Sequence, residues 1–322
     1  MKKIVLLSIV ASLTLSLALT SLFAKEDIIV FHAGSLAVPF AKIEKAFELK
    51  YPQYDVKREV SGSRKAARKV SDLKRAVDVV ASADYKVIDN LLIPKDAKFN
   101  VQFASNEMAL AYTEKSKFSN EVNVNNWIEI VLKKGVKVGH SNPNSDPCGY
   151  RSVLVTKLAE KYYKKADFYN ILLGYKESYK GGDEDKSKII VRPKETDLLG
   201  LLEVHAIDYL FIYKSVAQQH NLKYITLPKE ISMKDKEFKD LYNSVSFNIS
   251  GKKPGEYITK KGAAMIYGMT IPQNEKSPKN YEGAITFVNF VLSEEGQNIM
   301  KKSGQGTVEP AVITGDSTIL KR

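Results

Sequence analysis

Between Ile28 and Leu91 the chain repeats one pattern: an apolar β-branched run, a turn of small or acidic residues, then apolar residues at helical spacing. Ile28-Ile29-Val30-Phe31 reads as a strand, and Val38, Phe40, Ile43, Ala46 and Phe47 form the buried stripe of a helix that stops near Tyr51-Pro52. Asp55–Val60 is a second strand. It runs through Ser61-Gly62-Ser63 into a basic helix, Arg64–Arg75, with Ala66, Ala67, Val70 and Leu73 on one face. Ala76–Ala81 is a third, entering Ser82-Ala83-Asp84-Tyr85 and another helix start. Strands joined through helices must lie parallel, and their turns then line up at the carboxyl ends of the strands, where ligands bind. Ser35 falls where a helix N-cap is expected. Free N–H groups and the positive end of the helix dipole suit an anion there, and a plain capping serine accounts for the residue equally well.

Gln102–Tyr112 is extended and apolar, as a passage from one lobe into another would be. A second α/β region follows: a helix at Trp127–Leu132, a strand at Val136–Gly139, the polar loop His140–Gly149 and a helix from Tyr150 to Tyr163. Tyr175–Lys188 reads as an exposed loop and Ile189–Arg192 as a strand. Pro193–Asp197 opens a helix over Leu198–Glu203. A buried strand spans Tyr209–Tyr213, with a helix after it to His220. Ala263–Ile271 reads as the return passage, and the chain is expected to end in two helices, Asn280–Leu292 and Glu294–Lys301. Two crossings between two α/β lobes describe a clamp able to close over a ligand.

Met1-Lys2-Lys3 and the apolar run Ile4–Ala24 form a targeting segment, either a signal peptide cleaved after Ala24 or an uncleaved anchor. The rest is expected to be exported. Cys148 is the single cysteine, so disulfides do not hold the fold. The formal charge is +12, two of which belong to Lys2 and Lys3. Its lysines are scattered, with no arginine-rich stripe, which speaks against nucleic acid and for solvated helix faces.

Enzyme signatures are missing from the sequence. His32, His140, His205 and His220 lack helical metal spacing, and there is no G-x-S-x-G elbow, phosphate loop or dinucleotide glycine pattern. A Ser/His/Asp set stays open, since triads are not sequence-local. What remains is a group of turns suited to an anion: Gly34-Ser35, Ser61-Gly62-Ser63 and Asp146-Pro147-Cys148-Gly149. Asp146 before Pro147 is also an ordinary helix start, and Glu195 an ordinary first-turn acid.

His-Ala-Gly-Ser-Leu at 32–36, Ser-Gly-Ser at 61–63, Val-Val-Ala-Ser-Ala-Asp-Tyr at 79–85, Asp-Pro-Cys-Gly-Tyr-Arg at 146–151, Arg-Pro-Lys-Glu-Thr-Asp-Leu at 192–198 and Asp-Tyr-Leu-Phe-Ile-Tyr-Lys-Ser-Val-Ala at 208–217 occur in that order. Together they resemble the extracytoplasmic molybdate/tungstate-binding proteins of ABC importers, the archaeal tungstate-type branch most closely. The resemblance implies a type II periplasmic-binding-protein fold, two α/β lobes joined by a two-strand hinge. Lobe one would hold residues 25–109 and 270–322, and lobe two residues 110–269. It implies a monomer that binds tungstate or molybdate without a cofactor and without catalysis, then delivers it to a membrane permease. Carried onto this sequence, Gly34, Ser35 and Ser63 would hold the oxyanion from one lobe, and Asp146, Pro147, Cys148, Glu195 and Tyr213 from the other. Asp146 and Glu195 would complete coordination of the metal centre. Other anions, sulfate or phosphate, are the alternative ligands, and an exported two-lobed hydrolase is the alternative class.

Overall fold

The computed structural model describes residues 24–176, 178–251, 253 and 255–321; the leader lies outside them. The strands are β1 (Glu26–His32), β2 (Tyr54–Val60), β3 (Val79–Ser82), β4 (Phe99–Ser105), β5 (Met108–Tyr112), β6 (Val138–Ser141), β7 (Ile189–Arg192), β8 (Tyr209–Tyr213), β9 (Lys223–Thr226), β10 (Ser246–Ser250), β11 (Tyr257–Lys261), β12 (Ile266–Thr270) and β13 (Gly306–Gly315). Six helices matter below: α1 (Ala37–Lys50), α2 (Ser63–Ser71), α3 (Tyr85–Leu91), α4 (Pro147–Tyr162), α5 (Tyr281–Leu292) and α6 (Glu294–Lys302).

The first sheet runs β13-β4-β12-β3-β1-β2 and the second β7-β6-β8-β5-β9. In the first, β1 pairs parallel with β2 and β3, and β12 lies antiparallel between β3 and β4. In the second, β6 pairs parallel with β7 and β8, and β5 lies antiparallel between β8 and β9. Apart from the additional edge strand β13, the two sheets thus have the same order, and β12 and β5 are the strands laid down as the chain crosses into each lobe. Only Asn106-Glu107 separates β4 from β5. Four of the five residues of β5 and all five of β12 are buried, so both crossings read as unbroken apolar runs in the sequence.

Each sheet is covered on its faces. On one face of the first, Phe47 of α1 stacks on Tyr54 at 5.8 Å and meets Phe287 and Phe290 of α5 edge-on at 5.4 and 5.6 Å. On the other, Ala66, Ala67 and Val70 of α2 pack with Val87 and Ile88 of α3 against Phe31 and Val80. In the second lobe the buried Trp127 meets Phe168 and Phe211 edge-on at 5.5 and 6.0 Å.

Several expectations are corrected. Ser35 caps no helix: Ala33 precedes a 3-10 turn, Gly34–Leu36, which runs straight into α1 with Leu36 as its cap. α2 stops at Ser71, and Leu73, placed on its apolar face from sequence, is 68% exposed. The chain does not end in two helices. After α6 comes the ten-residue edge strand β13, whose register breaks between Thr307 and Val312, around Pro310. A proline has no N–H for a ladder, so the segment hid its strand character, and an edge with a bulge is where such a strand is tolerated. The hairpin β10–β11 leaves little trace in the sequence pattern, since only Phe247 and Ile249 of β10 and Lys260 of β11 are buried.

The aromatic cluster around Phe47 ties α1 to α5 across a long sequence separation. Phe47→Ala is expected to lower unfolding free energy by ~3–5 kcal/mol, read as a lower urea midpoint; a loss below ~1 kcal/mol would show that the cluster does not carry this lobe.

Candidate functional site

The site forms where loops at the ends of β1, β2, β3, β6 and β8 and the turn after β7 converge. Asp146 is the N-cap of α4, as its position before Pro147 predicts, and its Oδ1 accepts from the Cys148 N–H at 3.4 Å. A plain cap would leave the second oxygen to solvent. Here Asp146 is 1% exposed and Oδ2 accepts from the Glu195 N–H at 3.1 Å. Glu195 opens a 3-10 turn, Glu195–Leu198, and is fully buried; neither of its carboxylate oxygens has a hydrogen-bond partner among the described residues. The hydroxyl of Ser141, buried at the end of β6, is likewise without a partner.

Two glycines bring the opposite loops against these acids. A Cβ on Gly34 would stand 2.8 and 2.9 Å from the Glu195 oxygens, and one on Gly62 would stand 2.5 Å from the Ser145 carbonyl and 3.1 Å from the Asp146 Cβ. Any larger residue at either position would hold the two lobes apart.

Around the acids stand hydroxyls arranged to donate. Ser35 Oγ accepts from Tyr267 Oη at 2.9 Å, Ser63 Oγ from the Ala83 N–H at 3.0 Å, and Tyr213 Oη from Arg151 Nη1 at 2.8 Å. None of the three has an acceptor for its own proton among the described residues. A hydroxyl already accepting one bond is set to give its proton to an oxygen arriving in the site. Asn106 Nδ2, in the crossing between the lobes, donates to Tyr267 Oη at 3.0 Å and so backs Ser35. Arg151 stands behind Tyr213 and also donates to the Ala83 carbonyl at 2.8 Å.

The electrostatics follow from burial. Burial and the neighbouring Asp146 charge push the Glu195 carboxyl well above its ordinary value, and burial pushes Asp146 up too, against the hydrogen bonds it accepts. Burial, with both acids nearby, raises the Cys148 thiol, whose Sγ lies 3.7 Å from the Phe211 carbonyl. Burial raises the Tyr213 phenol against the pull of Arg151. His32 and His140, at the ends of β1 and β6, are structural. Each ring Nδ1 bonds the carbonyl of the following residue at 2.8 Å, and burial lowers both to about 4.

All eight residues singled out from the sequence lie in or beside this cluster. Pro147 is the first residue of α4, and Ser63 the first of α2, next to Gly62. The sequence reading missed Gly62 as a contact, and Ser141, Arg151, Tyr267 and Asn106 altogether. Arg151 carried a legible signal, a cation inside the apolar stretch of a helix. Asn106 and Tyr267 carried none, since each acts through a partner far away in the chain.

The fold is that of two-lobed periplasmic binding proteins. The sulfate-binding protein SubI of Mycobacterium tuberculosis superposes with a TM-score of 0.61 over 88% of both chains, at 15% identity. The chain belongs to the bacterial extracellular solute-binding protein family, whose model matches residues 28–305. An uncharacterized solute-binding protein of Petrotoga mobilis is 51% identical over 284 residues, covering 88% of this chain and 84% of that one. The molybdate/tungstate-binding protein WtpA of Pyrococcus abyssi is 44% identical over 307 residues, 90% of this chain and 87% of that one.

The buried acids give the ligand-free protein a pH signature. A carboxyl raised in the folded state contributes stability while it stays protonated, fully present below the unfolded-chain value near 4.5 and lost as pH rises through the higher folded value. The urea midpoint of the ligand-free protein should therefore fall from about pH 4.5 upward relative to that of Glu195→Gln, which lacks this titration. Parallel pH profiles for the two proteins would show that Glu195 is not held protonated.

Proposed function

We propose that this protein captures tungstate or molybdate outside the cytoplasmic membrane and hands it to the permease of an ABC importer, without turnover and as a monomer. The observation that carries this reading is the pair of unpartnered, fully buried Glu195 oxygens beside Asp146. A site built for sulfate or phosphate by hydrogen bonding is lined by donors; here the Asp146 carboxylate would repel either anion, and Glu195, holding its proton in the ligand-free protein, offers one donor at most. A six-valent tungsten or molybdenum centre is electron-poor and accepts further oxygen ligands. Asp146 and Glu195 would approach the metal while Ser35, Ser63 and Tyr213, with the Cys148 N–H, donate to its oxygens. Sulfur and phosphorus cannot expand in this way, so the same acids exclude the abundant anions. The name of the Pyrococcus abyssi relative supports the reading.

The lobes would part and close about the two crossings. β4 and β12 belong to the first sheet and β5 to the second, which supports hinge points at Asn106-Glu107 and just before Ile266, a few residues from the boundaries expected at 109/110 and 269/270. No helix among the described residues is long and apolar enough to cross a membrane; the leader would supply export or anchoring.

Titration calorimetry on anion-stripped protein tests the chemistry. Asp146→Asn and Glu195→Gln should each weaken tungstate binding by roughly a hundredfold or more, about 2.7 kcal/mol, while sulfate binding stays equal or improves. X-ray absorption at the tungsten edge should count about six oxygen neighbours in the wild type, falling toward four in the double variant. Loss of all anions together, or four neighbours in the wild type, would mean that these carboxylates do not touch the metal.

A further inference from the structure

A cavity of about 500 Å³ opens beside the oxyanion site and shares Arg151 with it. Its walls come from both lobes: Lys86 and Gln102 from the first, Tyr150 and Leu154 of α4 and Met233 from the second, Ile258 from the hairpin β10–β11. Six cationic side chains line it against one carboxylate, Asp84. That carboxylate is fully engaged, with Oδ1 accepting from the Lys86 N–H at 3.0 Å and Oδ2 from Tyr150 Oη and from Lys260 Nζ at 3.1 Å. Lys260 is thereby neutralised. Lys86, Lys236, Lys239 and Lys261 are exposed at the rim, and none is ion-paired among the described residues, where Lys260 is the cavity's one paired lysine.

At the wall the two sites share, Arg151 is only 4% exposed. Its Nη1 serves the Ala83 carbonyl and Tyr213, whereas Nε and Nη2 have no partner among the described residues. Guanidinium donors left over in a buried cation, four ammonium groups outside any ion pair among the described residues and an apolar wall of the half-buried Ile258, Ala263 and Ala264 make a receptor with two characters. Its size falls within the roughly 300–1,000 Å³ of small-molecule sites. It exceeds what one tetrahedral oxyanion fills, and its cations suit phosphate, which arginine grips by its fork and lysine as a point charge.

We propose that this cavity is a second anion site, for an organic phosphate ester, with its charged group toward Arg151 and the rim lysines and its apolar body against Ile258, Ala263 and Ala264. Because both lobes supply its walls, an occupant binds only the closed arrangement and draws the equilibrium toward it. By linkage it raises the affinity of the oxyanion site by the factor that tungstate raises its own. The coupling rests on the function proposed above; the cavity's own chemistry does not.

Phenyl phosphate is a suitable probe, with inorganic phosphate at equal concentration and matched ionic strength as the control. Calorimetry should detect phenyl phosphate binding to the ligand-free protein, more weakly for inorganic phosphate. Saturating phenyl phosphate should tighten tungstate binding by about fivefold or more. The double variant Lys236→Gln/Lys239→Gln should lose the phenyl phosphate effect and keep its tungstate affinity measured alone. No phenyl phosphate binding, equal binding by the variant, equal binding of inorganic phosphate or an unchanged tungstate affinity would each overturn the proposal. If tungstate itself fails to bind, the function proposed above falls, and the phenyl phosphate and variant arms still decide the cavity.

Discussion

Two carboxylates buried side by side are the constraint on which the rest of this molecule turns. Removing a charge from water costs several kcal/mol unless it is paired, and two like charges in contact add repulsion. Asp146 is partly compensated by two backbone N–H groups, one at the head of α4 and one from Glu195 itself. Glu195 has no such support in the ligand-free protein. A fold keeps so unfavourable an arrangement only where something else satisfies it, and the elements around it are shaped accordingly. Gly34 and Gly62 are stripped of side chains where they meet the acids, and the surrounding hydroxyls are each primed by a donor behind them.

Away from the site, a set of contacts between the lobes holds this arrangement together. Arg64, at the head of the helix read from sequence as basic, is 1% exposed and donates through Nε to the Asn144 carbonyl at 2.9 Å and through Nη2 to the Ser250 carbonyl. Asn144 in turn accepts from the Ser250 N–H at 2.8 Å, so loop, helix and hairpin form one polar seam. Burial pushes the Asp84 carboxyl up, but Lys260, Arg151 and the bonds from Tyr150 and the Lys86 N–H outweigh it and hold the group well below the usual range. These polar contacts would suit the opening proposed above: hydrogen bonds and ion pairs can be exchanged for water at modest net cost, whereas an apolar seam of the same size would not reopen easily.

Much of the first lobe was legible because its signals are local. β1 and α1 follow from a short apolar run that gives way, after the turn at 33–37, to apolar residues at helical spacing. Asp84 and Asp146 were readable as helix starts, since a cap is a matter of a few adjacent residues. The misreadings share a cause. Leu73 looked buried because the helix was extended by pattern past its true end, β13 left no strand signal because Pro310 interrupts it, and Ser35 looked like a cap because the 3-10 turn that precedes α1 leaves no periodic trace.

The sequence by itself determined the strand–turn–helix units, the two crossings and the chemical types gathered at the turns, because each depends on neighbours within a few residues. Which of those residues meet, and in what surroundings, depends on the tertiary structure. Asp146 and Glu195 are 49 positions apart, and Ser35 and Tyr267 are 232 apart. Alone, Asp146 is a cap and Glu195 a first-turn acid; their meaning arises when β6 and β7 pair and set the two turns side by side. Whether a carboxylate is a solvated surface group or a desolvated ligand is a property of its surroundings, and those are assembled from segments that no local pattern connects.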